Sequence, residues 1–577
     1  VNAILNCHLA TGRIGRPGCG PFSVTGQPNA MGGREVGGLA NMLACHLELE
    51  NPDHRAAVRK FWDAPNLPEK AGLKAVEMFQ AVADGRIKAL WIIHTNPAVS
   101  MPQADAVRDA IAACPFTVVS DITAQTDTAR LADLVLPATA WAEKDGTVTN
   151  SDRTISRQRA VLPAPGAARA DWEILAEVGR RMGWRAAFDY QSPAEIFREH
   201  AALSGIAGRM GRDFDISGLA DLDAGAYAAL PPTRWPVRAD RRRERFFADG
   251  QFYHGDGEAR MVPVRWRSPA AAPDAAWPFR LNTGRVRDQW HTMTRTALSP
   301  RLAAHLAEPY LDIHPEDAKR LGIVAADLVQ LANPLGEAIL RARITTDVAP
   351  GQVFAPMHWT GETAPSARID ALIPPATDPV SGQPESKAAT VQVARYDAAW
   401  YGFAVSATPL HPNSTYWARA VSTAGHRAEL AGDRQIADWE AEARRLFGLP
   451  SAQATSLCDP ARGTARIALS IDGRLTAALF VAPKPVAVMR DYLAALPEID
   501  PAAALMGRPS IDQPDPGPVL CSCFGVGVNT VLRAIEEQAL MSVEEIGTAL
   551  QAGTNCGSCR PELAVLLRAA VRREAAE

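Results

Sequence analysis

Four cysteines near the end of the chain have the residue types and spacing of a metal or cluster site. Cys521 and Cys523 form a C-x-C pair, and Cys556 and Cys559 form a C-x-x-C pair after 32 intervening residues. Four thiolates can close around a zinc ion or a [2Fe–2S] cluster. Zinc sites usually use C-x-x-C pairs or His, so the spacing favours an iron–sulfur cluster and leaves zinc as the alternative. A cluster would make this an electron-transfer protein.

A second group of polar residues follows short apolar strands. The runs ALWIIHTNP at 89–97, FTVVSD at 116–121 and LADLVLPA at 131–138 alternate with helical patterns, which predicts a doubly wound parallel sheet in an α/β fold. Ligands bind beyond the carboxyl ends of such strands. We therefore expect His94–Pro97 and Ser120–Asp121 to share one rim and to form a nucleotide site.

The elements that must position these groups change character along the chain. The Gly-rich run at 25–38 is typical of a loop, and 184–275 has no regular pattern. Alternating β-branched runs separated by Pro and Gly within 276–396 predict a β-barrel-like domain. A helix is predicted over Gln435–Phe447, and Asp472-Gly473 predicts a hairpin turn. Five regions follow: an α/β domain at 1–165, an irregular connection at 166–275, the β domain at 276–396, an α+β domain at 397–510, and a linker with the cysteine domain at 511–577.

Length, charge and cysteine count argue against several classes of function. A chain of 577 residues needs several cores, and its net charge of −4 gives no reason to expect a nucleic-acid partner. No apolar run reaches the roughly 20 residues that cross a bilayer, so we expect no membrane contact. Nine cysteines, an odd number, argue against a disulfide framework and favour a reducing compartment. Because the chain opens on helix-like text at Val1, we expect it to be a fragment that begins inside a domain.

Two family resemblances build on these motifs. Residues 517–570, with G-x-N after the C-x-C pair and TNCGSCRPEL at the second pair, resemble the bacterioferritin-associated-ferredoxin type of small helical [2Fe–2S] domain. The segments TGQPNAMGGREVGG at 25–38, 120–153, and NTGRVRDQWHTMTRT at 282–296 together resemble the molybdopterin oxidoreductases. That resemblance implies molybdenum on two pterin guanine dinucleotides and a double-psi β-barrel. It also implies cofactor contacts at Asn96, Ser120, Asp121, Lys144, Asp171, Thr283, Gly284, Arg285, Gln289, Trp290, His291, Thr292 and Lys387.

Within the family, the first segment and the appended cluster domain look most like assimilatory nitrate reductases. The resemblance implies a cytoplasmic enzyme that receives electrons from a flavoprotein or ferredoxin and passes them through the [2Fe–2S] cluster, then a [4Fe–4S] cluster, to nitrate at molybdenum. Gln27 and Arg34 match polar residues of the substrate channel, and a guanidinium suits planar nitrate. Pairing of Arg34 with Glu35 or with a backbone carbonyl is the plainer alternative.

Two departures from the family pattern keep other functions open. The [4Fe–4S] cysteine motif and the molybdenum-ligating residue would precede Val1, and Asp370 stands where related enzymes carry a cofactor-contacting Asn. A formate dehydrogenase shares the scaffold, and a non-catalytic electron-transfer subunit would keep the fold without the metal ligand. The residues before Val1 would separate these alternatives.

Overall fold

A computed structural model describes residues 1–24, 29–238, 245–509 and 514–574. Gln27, one of the two residues predicted to line a substrate channel, lies outside these ranges. Within them, no helix combines the length and apolarity needed to span a membrane.

The N-terminal region contains a short helix, α2, where the sequence predicted a loop. Helix α2 forms within the Gly-rich run because Glu35 at its end is buried, accepting hydrogen bonds from Thr149 Oγ1 at 2.7 Å and Trp235 Nε1 at 2.6 Å. Asn51 caps α3 by accepting from the backbone N–H of Asp53 at 2.9 Å. The helices are α1 (Asn2–Ala10), α2 (Ala30–Glu35), α3 (Pro52–Trp62) and α4 (Ala75–Ala83).

The predicted parallel sheet is present, with three strands in sequential order. Strands β1 (Leu90–Ile93), β2 (Thr117–Asp121) and β3 (Leu134–Pro137) are parallel, and Ile93 pairs with Ser120. Helices α5 (Pro97–Ser100) and α6 (Ala104–Ala113) connect the first two strands. The carboxyl ends of β1 and β2 therefore meet at one edge, as expected.

The region predicted to be irregular contains a long helix. Helix α8 carries 17 residues and packs Phe197, Ala201 and Leu203 into a core with Phe214 and Trp235. Its buried face includes small residues such as Ala201, Ser204 and Gly205, so the sequence shows no strong apolar period there. The elements here are β4 (Gly146–Thr149), β5 (Thr154–Gln158), α7 (Asp171–Arg181), α8 (Pro193–Arg209), α9 (Ala224–Ala228) and β6 (Thr233–Arg234).

The β-rich region is a closed six-stranded barrel. Its strands run in the order β10-β8-β11-β7-β12-β9, with parallel pairs β10–β8 and β11–β7. One core joins the barrel to the following sheet and includes Leu281 and Phe403, both fully buried. The elements are β7 (Phe279–Gly284), α10 (Pro300–Ala303), β8 (Tyr310–Ile313), α11 (Pro315–Leu321), β9 (Leu328–Asn333), β10 (Gly336–Ile344), β11 (Gln352–Pro356) and β12 (Ala389–Arg395).

A six-stranded antiparallel sheet follows the barrel. Its predicted hairpin turn is confirmed, since Asp472 and Gly473 both have positive φ, at 50° and 74°. The predicted helix begins four residues late, because Asp438 caps it by accepting from Glu440 N at 3.0 Å. The elements are β13 (Trp400–Ser406), β14 (Tyr416–Ser422), β15 (Gly425–Gly432), α12 (Trp439–Phe447), β16 (Gln453–Asp459), β17 (Thr464–Ile471), β18 (Arg474–Ala482), α13 (Arg490–Leu493) and α14 (Pro501–Ala504).

The cysteine region is a small domain with its own core. Val531, Ile546 and Leu563 are fully buried there, together with Cys521 and Cys559. A helix follows each cysteine pair, in agreement with the small helical domain that the resemblance implied. The elements are β19 (Val519–Cys521), β20 (Val526–Gly527), α15 (Val528–Gln538), α16 (Val543–Leu550) and α17 (Arg560–Glu574).

Candidate functional site

A cavity of about 570 Å³ lies between the parallel sheet and the barrel. The sheet contributes the residues that follow β1 and β2, and the barrel contributes the loop between β7 and α10. Six of the residues predicted to contact the dinucleotide line it: Asn96, Asp121, Lys144, Trp290, His291 and Thr292. Segments almost 200 positions apart in sequence therefore meet in one cavity.

Asp121 is placed to accept hydrogen bonds from a ligand at the end of β2. Its residue is 7% exposed, and its Oδ1 already accepts from the backbone N–H of Ile122 at 2.7 Å. Burial raises the pKa of its carboxyl, against the hydrogen bond from Ile122. Ser120 lies behind it, fully buried, with its Oγ accepting from Trp91 Nε1 at 2.9 Å. Ser120 therefore fixes the strand end, whereas Asp121 faces the cavity.

Hydrogen bonds from Thr128 fix the side chain of Asn96 at the end of β1. Its Oδ1 accepts from the backbone N–H of Thr128 at 3.1 Å and from the Thr128 hydroxyl at 2.7 Å. With the amide oxygen used in this way, the amide NH₂ is the part of the side chain left to serve a ligand.

Asp171 lies at the start of α7 and bridges two basic side chains of the cavity wall. Its Oδ1 is 2.6 Å from His94 Nε2, and its Oδ2 accepts from Lys144 Nζ at 2.7 Å. Burial alone would raise the pKa of Asp171, but the hydrogen bonds from His94 and Lys144 outweigh it and bring the pKa to about 2. The sequence predicts that His94 lies on the rim, but it does not predict this bridge, which depends on a helix 77 residues away.

The barrel side is organised around the end of β7. Thr283 Oγ1 donates to the carbonyl of Ser386 at 2.8 Å, and Lys387 Nζ donates to the carbonyl of Thr283. Gly284 is required by close packing, because a Cβ there would lie 2.6 Å from the Phe354 ring. The guanidinium of Arg285 lies 5.2 Å from the Trp290 ring centroid.

Burial shifts the pKa of two ionisable groups beside the barrel strand. Burial, with Arg285 and Arg295 nearby, lowers the pKa of His291. Burial raises the pKa of Asp370 to about 7, although the Lys387 ammonium opposes this rise. A protonated Asp370 would offer an O–H donor, so it can resemble the Asn that related enzymes carry at this position.

The four C-terminal cysteines meet in a second cavity, of about 370 Å³. Cys523 Sγ lies 3.3 Å from Cys556 Sγ, and the Cys559 thiol contacts that of Cys521. The sulfurs thus form two pairs, each combining one residue of the C-x-C with one of the C-x-x-C. No group of three or more His, Cys, Asp or Glu in the described ranges is arranged as a single-ion site. Two thiolate pairs match the demand of a two-iron cluster, in which each iron takes two cysteines.

The barrel loop forms the other wall of the cysteine cavity. Arg287, Asp288, Gln289 and Trp290 line it beside the cysteines. Gln289, predicted to contact the dinucleotide, lies on this side, where its Nε2 donates to the Leu302 carbonyl at 3.3 Å. The contribution of Arg287 was not foreseen, because nothing in its local sequence shows that a domain 230 residues later packs on it.

Arg34 lies apart from both cavities, exposed near the end of α2. Its suggested partner Glu35 instead binds Thr149 and Trp235, so the plainer alternative of an Arg34–Glu35 pair is wrong. Within the described ranges, the side chain of Arg34 has no hydrogen bond or ion pair.

Unsatisfied polar atoms indicate that both cavities fit a polar occupant. Thr139 Oγ1 is buried in the wall of the first cavity without a partner in the described ranges, and so is Ser522 Oγ between the two cysteines of the C-x-C pair. A buried hydroxyl without a hydrogen bond costs about 1–3 kcal/mol. A pterin dinucleotide could satisfy Thr139, and cluster or thiolate sulfur could satisfy Ser522.

The regions that line the two cavities match known protein families. Residues 1–181 match the molybdopterin oxidoreductase family, 279–390 the molydopterin dinucleotide binding domain, and 519–569 the BFD-like [2Fe–2S] binding domain. The chain belongs to the molybdopterin oxidoreductases and carries a C-terminal domain of the two-iron type.

Curated relatives include a nitrate reductase of Klebsiella oxytoca, 44% identical over 98% of this chain and 65% of its own length. The assimilatory nitrate reductase catalytic subunit of Bacillus subtilis is 34% identical over 68% of this chain and 54% of its own. An F420-dependent formate dehydrogenase subunit alpha of Methanocaldococcus jannaschii is 33% identical over 68% of this chain and 55% of its own length. The chain thus spans between about half and two thirds of the length of these relatives.

Proposed function

We propose that this chain is part of an assimilatory nitrate reductase, which converts nitrate, two electrons and two protons into nitrite and water. The observation that carries the proposal is the pair of adjoining cavities, one lined by the family's dinucleotide contacts and one by four paired cysteines. The similarity to nitrate reductases over nearly the whole chain supports nitrate as substrate.

The side chains around the first cavity suit a guanine dinucleotide. Asp121 would accept from the two N–H groups of a guanine edge, and Arg285 and Lys144 would neutralise phosphates. When bound, the molybdenum of this cofactor would supply the oxygen-atom and electron chemistry. A [4Fe–4S] cluster would complete the electron path in the full-length enzyme.

Arg34 and Gln27 remain the residues we assign to nitrate. The exposed guanidinium of Arg34, free of other partners in the described ranges, supports this role. In the full-length enzyme, Arg34→Ala should keep its molybdenum content and lose most nitrate turnover. The control is Arg474→Ala, at an exposed position on β18, which should keep both the molybdenum and the nitrate turnover. Near-normal turnover of Arg34→Ala would refute the assignment.

We further propose that the enzyme works in the cytoplasm with a reduced flavoprotein or ferredoxin as donor. The odd number of cysteines, nine, argues against a disulfide framework and supports a reducing compartment. The donor would bind to the surface of the small domain around Cys556, the exposed cysteine of the C-x-x-C pair.

The decisive assay uses purified full-length enzyme with reduced viologen and either nitrate or formate. Nitrate-dependent viologen oxidation without formate-dependent viologen reduction is the expected result. Formate activity without nitrate activity would favour the formate dehydrogenase alternative, and the absence of both would favour a non-catalytic electron-transfer subunit.

A further inference from the structure

The cysteines of the small domain differ in how deeply they are buried. Cys521 and Cys559 are 2% and 3% exposed, whereas Cys556 is exposed. The barrel loop between β7 and α10 supplies the opposite wall of their cavity, with Arg287 and Asp288 among its side chains. A cluster held by four thiolates is an anion, and its reduction adds one further negative charge. Burial of the inner cysteine pair therefore makes reduction harder unless a positive charge lies close to it.

Arg287 of the barrel contacts both segments that carry the buried cysteines. Its Nη2 donates to the Leu520 carbonyl at 2.5 Å, and its Nη1 pairs with Glu562 at 2.8 Å. Leu520 immediately precedes Cys521, and Glu562 follows Cys559 by three residues. One guanidinium, 17% exposed, therefore lies against both cysteine-bearing segments of the small domain.

The guanidinium of Arg287 stays charged in this position. Burial alone would lower the pKa of Arg287, but its hydrogen bond to Asp288 and the negative charges of Glu562 and Asp288 outweigh burial and raise the pKa. Negative charge on Cys559 contributes to the same rise. Because this attraction is mutual, the guanidinium also stabilises negative charge on the Cys559 sulfur.

The other charged groups around the cysteine cavity act more weakly or with the opposite sign. Asp288 is 11% exposed, and its Oδ2 lies 3.1 Å from Arg287 Nε and 2.8 Å from His305 Nδ1. Arg301 lines the same wall but is exposed, and Glu562 is 47% exposed, so solvent screens both charges. Among the described residues that line this cavity, Arg287 and Asp288 are therefore the charges that act most strongly on a cluster.

We propose that Arg287 raises the reduction potential of the two-iron cluster and is the counter-charge that the barrel supplies to the buried cysteine pair. In the step concerned, [2Fe–2S]²⁺ takes one electron from a one-electron donor and becomes [2Fe–2S]⁺, and no bond is broken. Since Arg287 belongs to the barrel, the potential of the cluster depends on contact between the small domain and the barrel. This inference concerns the cluster and does not depend on which substrate the molybdenum site reduces.

A potentiometric titration of full-length holoenzyme measures the effect. The EPR signal of [2Fe–2S]⁺ is followed against dithionite and redox mediators, at a temperature where [4Fe–4S]⁺ signals relax too fast to be seen. Arg287→Gln removes the positive charge and should make the equilibrium constant for reduction about tenfold smaller, which is a shift of about 59 mV to more negative potential for one electron. Arg287→Lys keeps the charge and should stay closer to wild type.

Variants of opposite sign separate the charge effect from simple disruption. Asp288→Asn removes a negative charge and should raise the potential, whereas water entering a loosened site would raise it in both Asp288→Asn and Arg287→Gln. Arg568→Gln makes the same charge change as Arg287→Gln at an exposed position of α17 and should leave the potential unaltered. A potential at or above the wild-type value in Arg287→Gln would overturn the proposal. If that variant assembles no cluster, Asp288→Asn decides alone, and an unchanged or lower potential there overturns it.

Discussion

The dinucleotide cavity and the cysteine cavity share a wall but are built in different ways. The first draws on residues from Asn96 to Arg295, and its walls are joined by charge pairs such as Asp171 with Lys144 at 2.7 Å. The second draws its ligands from two short motifs of one small domain, with contacts mainly between sulfurs. The dinucleotide cavity is therefore held by charge pairs between its own walls, whereas in the cysteine cavity a bound cluster would link the four thiolates to one another.

The largest effect should come from removing one thiol of the cysteine cavity. Cys559→Ser should abolish the [2Fe–2S] absorbance and EPR signal and unfold the small domain locally, since Cys559 is 3% exposed within its core. Limited proteolysis should then cleave near 514–574 and leave the barrel intact. Cys458→Ser, at an exposed site on β16, is the control. A full cluster signal in Cys559→Ser would contradict the ligand assignment.

On the dinucleotide side, substitution of Asp370 tests whether a buried carboxyl lowers the stability of the barrel when it is ionised. Burial raises its pKa to about 7, so the folded state favours the protonated acid. The contribution of the protonated carboxyl to the free energy of unfolding is therefore present below about pH 4 and is lost as pH rises through 7. Asp370→Asn should therefore raise the free energy of unfolding at pH 8 by up to about 4 kcal/mol and change it little at pH 4.

A buried aspartate with a cation partner supplies the contrast to Asp370. Asp312 pairs with Arg343 at 2.5 Å, so Asp312→Asn should destabilise the protein at pH 8. Urea unfolding of both variants at pH 4 and pH 8 makes the comparison. Equal behaviour of the two variants would show that Asp370 is ionised and paired.

Close packing at the end of β7 gives an intermediate effect. Gly284→Ala places a Cβ 2.6 Å from the Phe354 ring and should destabilise the barrel by about 1–3 kcal/mol. Gly336→Ala, whose added Cβ would meet its nearest atom at 3.5 Å, should be tolerated. A smaller loss for Gly284→Ala than for Gly336→Ala would argue against this tight contact.

The bridge at Asp171 should have the smallest effect on stability. Its pKa of about 2 lies below the ordinary carboxyl range, so its contribution is present above about pH 4 and is lost as pH falls through 2. Asp171→Asn should cost about 1–2 kcal/mol at pH 7 and less near pH 2. Thermal melts at both pH values, with the exposed Asp84→Asn as control, measure the difference; a pH-independent loss would contradict the ionic account.

The two cavities also differ in what the sequence could predict. The cysteine ligands lie within short motifs, so their spacing alone indicated a cluster. Asn96 and Asp121 were predictable as a rim because parallel strands end at one edge. The bridge from Asp171 to His94 and the packing of Arg287 against Leu520 depend on tertiary contacts across many residues. Helix α2 was missed because burial of Glu35, rather than local propensity, stabilises it.

The adjoining arrangement of the two cavities is tested most directly by pulsed EPR on full-length enzyme poised with Mo(V). Spin relaxation of Mo(V) should accelerate when the [2Fe–2S] cluster is reduced, and Cys559→Ser, which removes only that cluster, should abolish this part of the acceleration. Identical relaxation in wild type and Cys559→Ser at the same reducing potential would contradict the account, in which the two cavities share the Trp290 side chain as a wall.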